Sequence, residues 1–259
     1  MRLRPLALLA PLAAIASPAH ADALLDQALA NGGAYNAADW AYVSTMKVWA
    51  GGSTVVGDAI DRAHSGKRAR PPLRDEKVVR YDPSRPPGER EKVVYSKNSK
   101  SVHVDTDNDE DDDLPAYGEM RQLIQGEPKR IGETVATATY RFAVDPAQVR
   151  KIGGAELDID SDHPLPPLTG TAVVQKTGPR APYIKTIVVA LPTNEGKGRG
   201  NAAGKVKQLS FGFRFAPDLQ RGVQLLQAFG MDSSLQGLGL VTVDFSVLNK
   251  VGNYRFVGK

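Results

Sequence analysis

The sequence predicts a mainly β protein of the α+β class, in which a strongly curved antiparallel sheet forms an unclosed barrel. Many segments alternate apolar and polar residues, as half-buried strands do. Turns that contain Gly, Pro or Asn separate these segments. Only two segments have helical spacing, so a few helices are expected to cover the concave face of the sheet.

Residues 1–21 are typical of a signal peptide. Arg2 and Arg4 precede an apolar run, and the run ends in a small-x-small cleavage pattern at Ala21. The run is too short to span a membrane, and no second long apolar run follows it. We therefore expect an exported periplasmic protein without stable membrane insertion, and a single β domain over residues 22–259.

The composition restricts the function further. The chain has no cysteine, so neither disulfides nor lipid attachment at a cysteine is expected, and the protein should be free in the periplasm. Without the two arginines of the signal peptide, 31 Lys and Arg face 29 Asp and Glu, a net charge of +2. This near balance, without an aromatic and basic recognition motif, gives no basis for nucleic-acid binding.

The first half of the domain is predicted to begin with a helix over residues 22–31, which Gly32 and Gly33 end. Strands are predicted over residues 39–50, 53–60, 76–81 and 91–95, with loops over 64–74 and between the last two strands. The run 105–113 carries seven acids and is predicted to be a solvated linker. A second helix is predicted within residues 114–126.

The second half of the domain is predicted to be almost wholly β. Strands are predicted over residues 133–144, 155–160, 168–176, 182–192, 204–217, 222–230 and 238–248. The segment 219–229 is also compatible with a helix.

Alternation within the strands predicts which side chains face an apolar interior. With few helices available as cover, part of this apolar surface is expected to line a ligand cavity. The candidate lining residues are Trp40, Tyr42, Met46, Tyr140, Phe142, Phe211, Phe213, Phe215 and Phe245.

Ser44 and Lys47 form an S-x-x-K pattern, which opens the active site of penicillin-recognising enzymes. Ser96-Lys-Asn98 and Lys176-Thr-Gly178 follow in the order that those enzymes use. Their mechanism needs the serine at the start of a helix, whereas three residues along a strand place Ser44 and Lys47 on opposite faces. We therefore expect no enzymatic activity and no catalytic residue.

No cofactor or metal site is expected either. The histidines His64, His103 and His163 lie in polar surroundings that are typical of loops. The acidic run begins like a calcium-binding loop, but Glu110 and Ala116 stand where such a loop needs Gly and Glu.

The layout resembles the periplasmic lipoprotein-carrier superfamily (LolA/LolB-like), in particular its uncharacterised exported members. The resemblance is carried by the helix after the signal peptide, the strand WAYVSTMKVW, the loop DPSRPPGER, the segment GEPKRIGETVATATYRF and the long strands GKVKQLSFGFRF and LGLVTVDFSVL. It implies an unclosed antiparallel barrel with helices as a lid over an apolar cavity for acyl chains.

The leading functional hypothesis is a periplasmic carrier or binding protein for a hydrophobic ligand, which would be a lipid, a lipoprotein acyl chain or another amphiphile. The alternative is a non-catalytic envelope structural or interaction module with a filled β core. A serine hydrolase of the penicillin-recognising type is a remote third hypothesis. An open apolar cavity would favour the first hypothesis over the second.

Overall fold

The computed structural model describes residues 22–33, 35–50, 73–86, 88–97, 100–105, 114–145, 148, 168–191, 200–201, 204–237 and 242–258. These residues contain two short helices, α1 (Ala23–Ala30) and α2 (Met120–Leu123). The strands are β1 (Trp40–Ala50), β2 (Leu73–Tyr81), β3 (Glu91–Lys97), β4 (Lys100–Asp105), β5 (Gln125–Glu133), β6 (Thr137–Val144), β7 (Leu168–Gln175), β8 (Tyr183–Ala190), β9 (Gly200–Asn201), β10 (Gly204–Pro217), β11 (Gln224–Gly237) and β12 (Thr242–Phe256).

The strands belong to one antiparallel sheet. Its order is β4-β3-β2-β1-β12-β11-β10-β8-β7-β6-β5, and β9 pairs with β10 beside this path. The first and last strands, β1 and β12, lie side by side within the sheet, while β4 and β5 form its two edges and do not pair with each other. The sheet is therefore not closed.

The connection between β4 and β5 has to pass from one edge of the sheet to the other. It carries a 3-10 turn at Tyr117–Glu119 and then α2, and Gly126 with φ +64° turns the chain into β5. Tyr117, Met120 and Leu123 are each at most 1% exposed. This crossing segment is thus packed against the sheet.

The main hydrophobic core joins both helices to the sheet. Leu25 and Ala28 of α1 share one cluster with the crossing segment and with side chains from β6, β7, β8 and β10. Asp22 begins α1 because its carboxylate accepts a hydrogen bond from the Leu24 N–H. We call the side of the sheet that faces these helices the core face.

The alternation argument is confirmed most clearly in β10. Leu209, Phe211, Phe213 and Phe215 all lie in the main core. The predictions of a mainly β fold, an unclosed antiparallel sheet and few helices are also confirmed.

Several boundaries differ from the predictions. The helix predicted within 114–126 is shorter in the structure, and the edge strand β5 follows it. Pro128 is tolerated in β5 because an edge strand has a neighbour on one side only, so the missing N–H can face away from the sheet. Residues 224–229 are strand and not helix. β12 continues to Phe256, although Asn249, Lys250 and Asn253 gave its second half a polar appearance.

The acidic run begins inside the sheet, because Asp105 ends β4 and pairs with Val93. His103 also lies in β4 and not in a loop. The predicted strands at 53–60 and 155–160, the rest of the acidic run, His64 and His163 lie outside the described residues.

Candidate ligand-binding surface

A single row of directly paired residues crosses the core face of the sheet. Paired residues of antiparallel strands point to the same side, so the register alone identifies the row. Its members are Tyr140, Ala172, Ile187, Phe213, Phe229, Asn249, Met46, Lys77 and Tyr95. The first four are at most 3% exposed, whereas the last five are half-buried. The core face therefore changes along this row from a packed interior to a partly open surface.

Tyr117 holds the packed part together. Its hydroxyl donates to the Ala28 carbonyl at 2.6 Å and accepts from the Ile184 N–H at 2.7 Å, so it connects the crossing segment to α1 and β8. Its ring lies edge-on to Phe215 at 5.1 Å between centroids. Burial raises the pKa of Tyr117 well above its usual value, which keeps the phenol protonated and able to donate.

The partly open region of the core face carries large apolar side chains. We call this group the half-buried patch; it consists of Met46, Val48, Phe229, Met231, Phe245 and Val247. Cross-strand pairing makes it continuous, since Met231 pairs with Val247 and Val247 pairs with Val48. Three neighbouring strands, β11, β12 and β1, each contribute two side chains to the patch, and Phe229 and Met231 also pack against the main core.

Polar groups border the half-buried patch on β12, β2 and β3. The Ser44 hydroxyl donates to Asn249 Oδ1 at 2.6 Å, and Ser44 itself is 4% exposed. On the other side of Met46, the Lys77 ammonium lies 5.8 Å from the centroid of the Tyr95 ring, a cation–π distance. The surface is thus apolar in its centre and polar at one margin.

The nine residues proposed from the sequence as cavity lining fall into three groups. Trp40 lies in a separate small cluster with Val223 and Leu225. Met46 and Phe245 are half-buried and belong to the half-buried patch. The remaining six are packed in the main core, namely Tyr42, Tyr140, Phe142, Phe211, Phe213 and Phe215.

Sequence reasoning did not single out Val48, Phe229, Met231 and Val247 as candidate lining residues, nor the polar margin. Val247 followed the alternation within its strand, but Phe229 lay in a segment that could be read as a helix. Nothing in the sequence signalled that Lys77 and Asn249 lie on either side of Met46, because this depends on strand order.

The S-x-x-K residues lie on opposite sides of β1, as strand spacing predicted. Ser44 faces the core side and binds Asn249, whereas Lys47 forms a salt bridge of 3.4 Å with Glu76 of the neighbouring strand. No helix presents Ser44, since it lies in the middle of an eleven-residue strand.

An ion-pair chain fastens the start of α1 to the edge of the sheet. Arg130 of β5 donates from Nε and Nη2 to the Asp22 carboxylate, and from Nη1 to Glu133 at 2.7 Å. Lys176 extends the chain with a 2.5 Å contact to Glu133. Burial raises the pKa of Asp22, but the hydrogen bonds from Arg130 and from the Leu24 N–H outweigh it, so the pKa is held below its usual value.

In the part of the chain that the structure describes, no group of three or more His, Asp or Glu side chains is placed to hold a metal ion. None of the helices described is long and apolar enough to cross a membrane. Comparison of the sequence and structure with protein-family models, with curated proteins and with solved structures found no match.

Proposed function

We propose that this protein is a periplasmic carrier or binding protein for a hydrophobic ligand, such as a lipid, a lipoprotein acyl chain or another amphiphile. The half-buried patch carries this proposal. Its six apolar side chains remain partly exposed on the same face that is packed under the helices a few strands away. Covering such surface contributes about 25 cal/mol per Å² of apolar area, without any bond chemistry.

The finer form of the fold belongs to the same proposal. We take the core face to be the concave face of a strongly curved sheet, with α1 and the crossing segment as a partial lid. The crossing segment buries Tyr117, Met120 and Leu123 in the main core on this face, which supports this arrangement. In this arrangement the lid packs on the main core, and the half-buried patch on β11, β12 and β1 is left as ligand space.

Export is part of the proposal as well. The sequence predicts cleavage after Ala21, and Asp22 is both the N-cap of α1 and the partner of Arg130. The proposed mature chain would thus begin with a residue that fixes the helix in place. The resemblance to the lipoprotein-carrier superfamily remains a prediction from the sequence.

Binding can be tested on protein purified from the periplasm. Native mass spectrometry with lipid extraction should reveal a co-purified amphiphile, and the emptied protein should bind a fluorescent fatty-acid probe. Val48→Thr and Val247→Thr keep side-chain shape but place a hydroxyl in the half-buried patch, so probe affinity should fall several-fold in each variant.

Val188→Thr is the matched control. Val188 is also a half-buried strand residue, but it pairs with Gly212 and Thr171 on the opposite face of the sheet. Probe affinity should be unchanged in this variant. If the native protein binds neither probe nor lipid, the carrier proposal is wrong.

The second candidate function is an envelope interaction module with a filled core. It is favoured by the packed part of the core face, where Tyr140, Phe142 and Phe215 are at most 4% exposed. The two candidates differ in Phe245→Ala. A carrier should lose probe binding in this variant with only a modest loss of stability, whereas a module would bind no probe before or after the change.

A further inference from the structure

We infer that the side of the sheet opposite the core face is a second binding surface, which docks the protein on a membrane of anionic phospholipids. We call this side the outer face. The inference goes beyond the proposed ligand binding, because it concerns the surface on which the whole protein is held. It starts from the register of β2 and β3.

Two basic side chains lie directly opposite each other on the outer face of β2 and β3. Arg80 pairs with Lys92, and Val43 of β1 pairs with Arg80 from the other side. The same arrangement recurs on β5 and β6, where the exposed Lys129 and Arg141 pair with each other. Cβ atoms of such pairs lie about 5 Å apart, and like charges at that distance destabilise the sheet. An external anion would remove this repulsion.

Two more cations lie on the outer face close to the first pair. Lys250 of β12 pairs with Thr45 of β1 on one side and with Ala228 of β11 on the other. Ala228 pairs in turn with Arg214 of β10. We call four residues the basic patch: Arg80, Lys92, Arg214 and Lys250. The patch extends over six neighbouring strands, from β10 to β3, which corresponds to roughly 24 Å.

The cations of the basic patch are not neutralised within the protein. Among the described residues, none of the four forms an ion pair or a side-chain hydrogen bond. Arg80, Lys92 and Lys250 are exposed, whereas Arg214 is half-buried and its Nε is buried without a hydrogen-bond partner. Partial removal of a guanidinium from water is unfavourable when no acid accompanies it, since buried charges are normally paired. The basic patch therefore has both charge and donors for an external anion.

The acids described on or next to the outer face do not cancel this charge. Glu76 binds Lys47 at 3.4 Å, and Asp82 binds Arg255 at 2.8 Å, so each of these acids has a cation of its own. Asp232 is 1% exposed and presents no charge at the surface. The basic patch is thus positive, although the chain as a whole has a net charge of only +4.

An anionic membrane fits the basic patch better than a protein partner does. The centre of a protein interface is normally formed by large apolar or aromatic side chains. In the described part of the chain, the exposed large apolar residues are Ile131, Val135 and Leu219, and they lie on β5, in the turn after it and in the loop before β11. Cations spread over several strands instead suit a surface of many anionic head groups, to which each contributes by its charge. Docking through the outer face also leaves the half-buried patch free on the other side of the sheet.

Co-sedimentation with lipid vesicles tests the inference. The protein should bind vesicles that contain phosphatidylglycerol and not vesicles of phosphatidylcholine alone, and raised salt should weaken the binding. Each Lys or Arg near an anionic surface contributes a factor of about five in affinity, so Lys250→Gln should weaken binding by about that factor. Arg80→Gln together with Lys92→Gln should weaken it by at least about tenfold. These side chains are exposed, so the variants should keep the native melting temperature.

Arg121→Gln is the matched control, because Arg121 is exposed on α2, which packs against the core face. It removes the same charge as Lys250→Gln but leaves the basic patch intact, so it should bind vesicles like the native protein. Equal losses in these two variants would mean that net charge and not the outer face attracts the vesicles, and would overturn the inference.

Two other results would also contradict membrane docking. One is a native protein that binds neither kind of vesicle, or both kinds equally. The other is binding of a polyglutamate peptide but not of vesicles, lost in the Arg80→Gln and Lys92→Gln double variant; the partner of the basic patch would then be an acidic protein segment. The fatty-acid probe reports on the half-buried patch alone, so a failure of membrane docking is distinguishable from a failure of the proposed ligand binding.

Discussion

Replacement of Tyr117 by Phe should destabilise the fold by much more than the loss of a surface hydroxyl. The change keeps the buried ring against Phe215 and removes only one oxygen atom. That oxygen serves two buried backbone groups, the Ala28 carbonyl at 2.6 Å and the Ile184 N–H at 2.7 Å. Both groups lose their partner in a place that water does not reach freely.

The magnitude follows from the cost of buried groups left without a hydrogen bond, which is about 1–3 kcal/mol each. Two such groups give roughly 2–6 kcal/mol in the free energy of unfolding, a large part of the 5–15 kcal/mol typical of a domain. The Ala28 carbonyl belongs to the last turn of α1, where no later helical N–H is available to replace the tyrosine. The helix and the crossing segment should therefore loosen together.

Urea unfolding followed by the fluorescence of Trp40 and Trp49 measures this effect. Tyr183→Phe is the control, because Tyr183 is half-buried and its hydroxyl makes no hydrogen bond among the described residues. The control should stay within about 0.5 kcal/mol of the native protein. A Tyr117→Phe variant as stable as this control would refute the view that the hydroxyl joins α1 to the sheet.

Three further predictions concern other parts of the fold. Gly170→Ala should lower the free energy of unfolding by about 1–3 kcal/mol, because its Cβ would lie 2.0 Å from the Phe142 ring. In a double-mutant cycle, adding Phe142→Leu should recover part of this loss. Asp22→Asn keeps the helix cap but removes the charge that Arg130 binds, so the urea midpoint should fall at pH 7. Folding lowers the pKa of Asp22, so its charge stabilises the fold above the ordinary pKa of 3.8 and this stabilisation is lost as the pH falls below that value. The urea midpoints of the native protein and the variant should therefore converge in acid. Ser44→Ala should cost about 1 kcal/mol for one hydrogen bond, and a fluorescent penicillin should label neither form; a covalent adduct on Ser44 would contradict the non-enzymatic proposal.

The period of two in the strands made much of the fold predictable. Alternation identified Phe211, Phe213 and Phe215 as neighbours on one buried face, because a strand gives each side chain only two directions. The same rule placed Ser44 and Lys47 on opposite faces of β1. It failed for β5, where Gly126, Pro128 and charged residues hide a strand that needs only one pairing neighbour.

The class of fold, the few helices and the buried face of each long strand could be predicted because they follow from local spacing and turn residues. Which part of that face is packed and which is half-buried depends on contacts between distant strands and helices, so local spacing could not predict it. Phe213 and Phe245 follow the same alternation, yet one lies in the main core on β10 and the other is half-buried on β12. The order of the strands also places Lys77 and Asn249, which are far apart in the chain, on either side of Met46. This could not be predicted from local sequence, because the pairing of distant segments depends on the whole sheet.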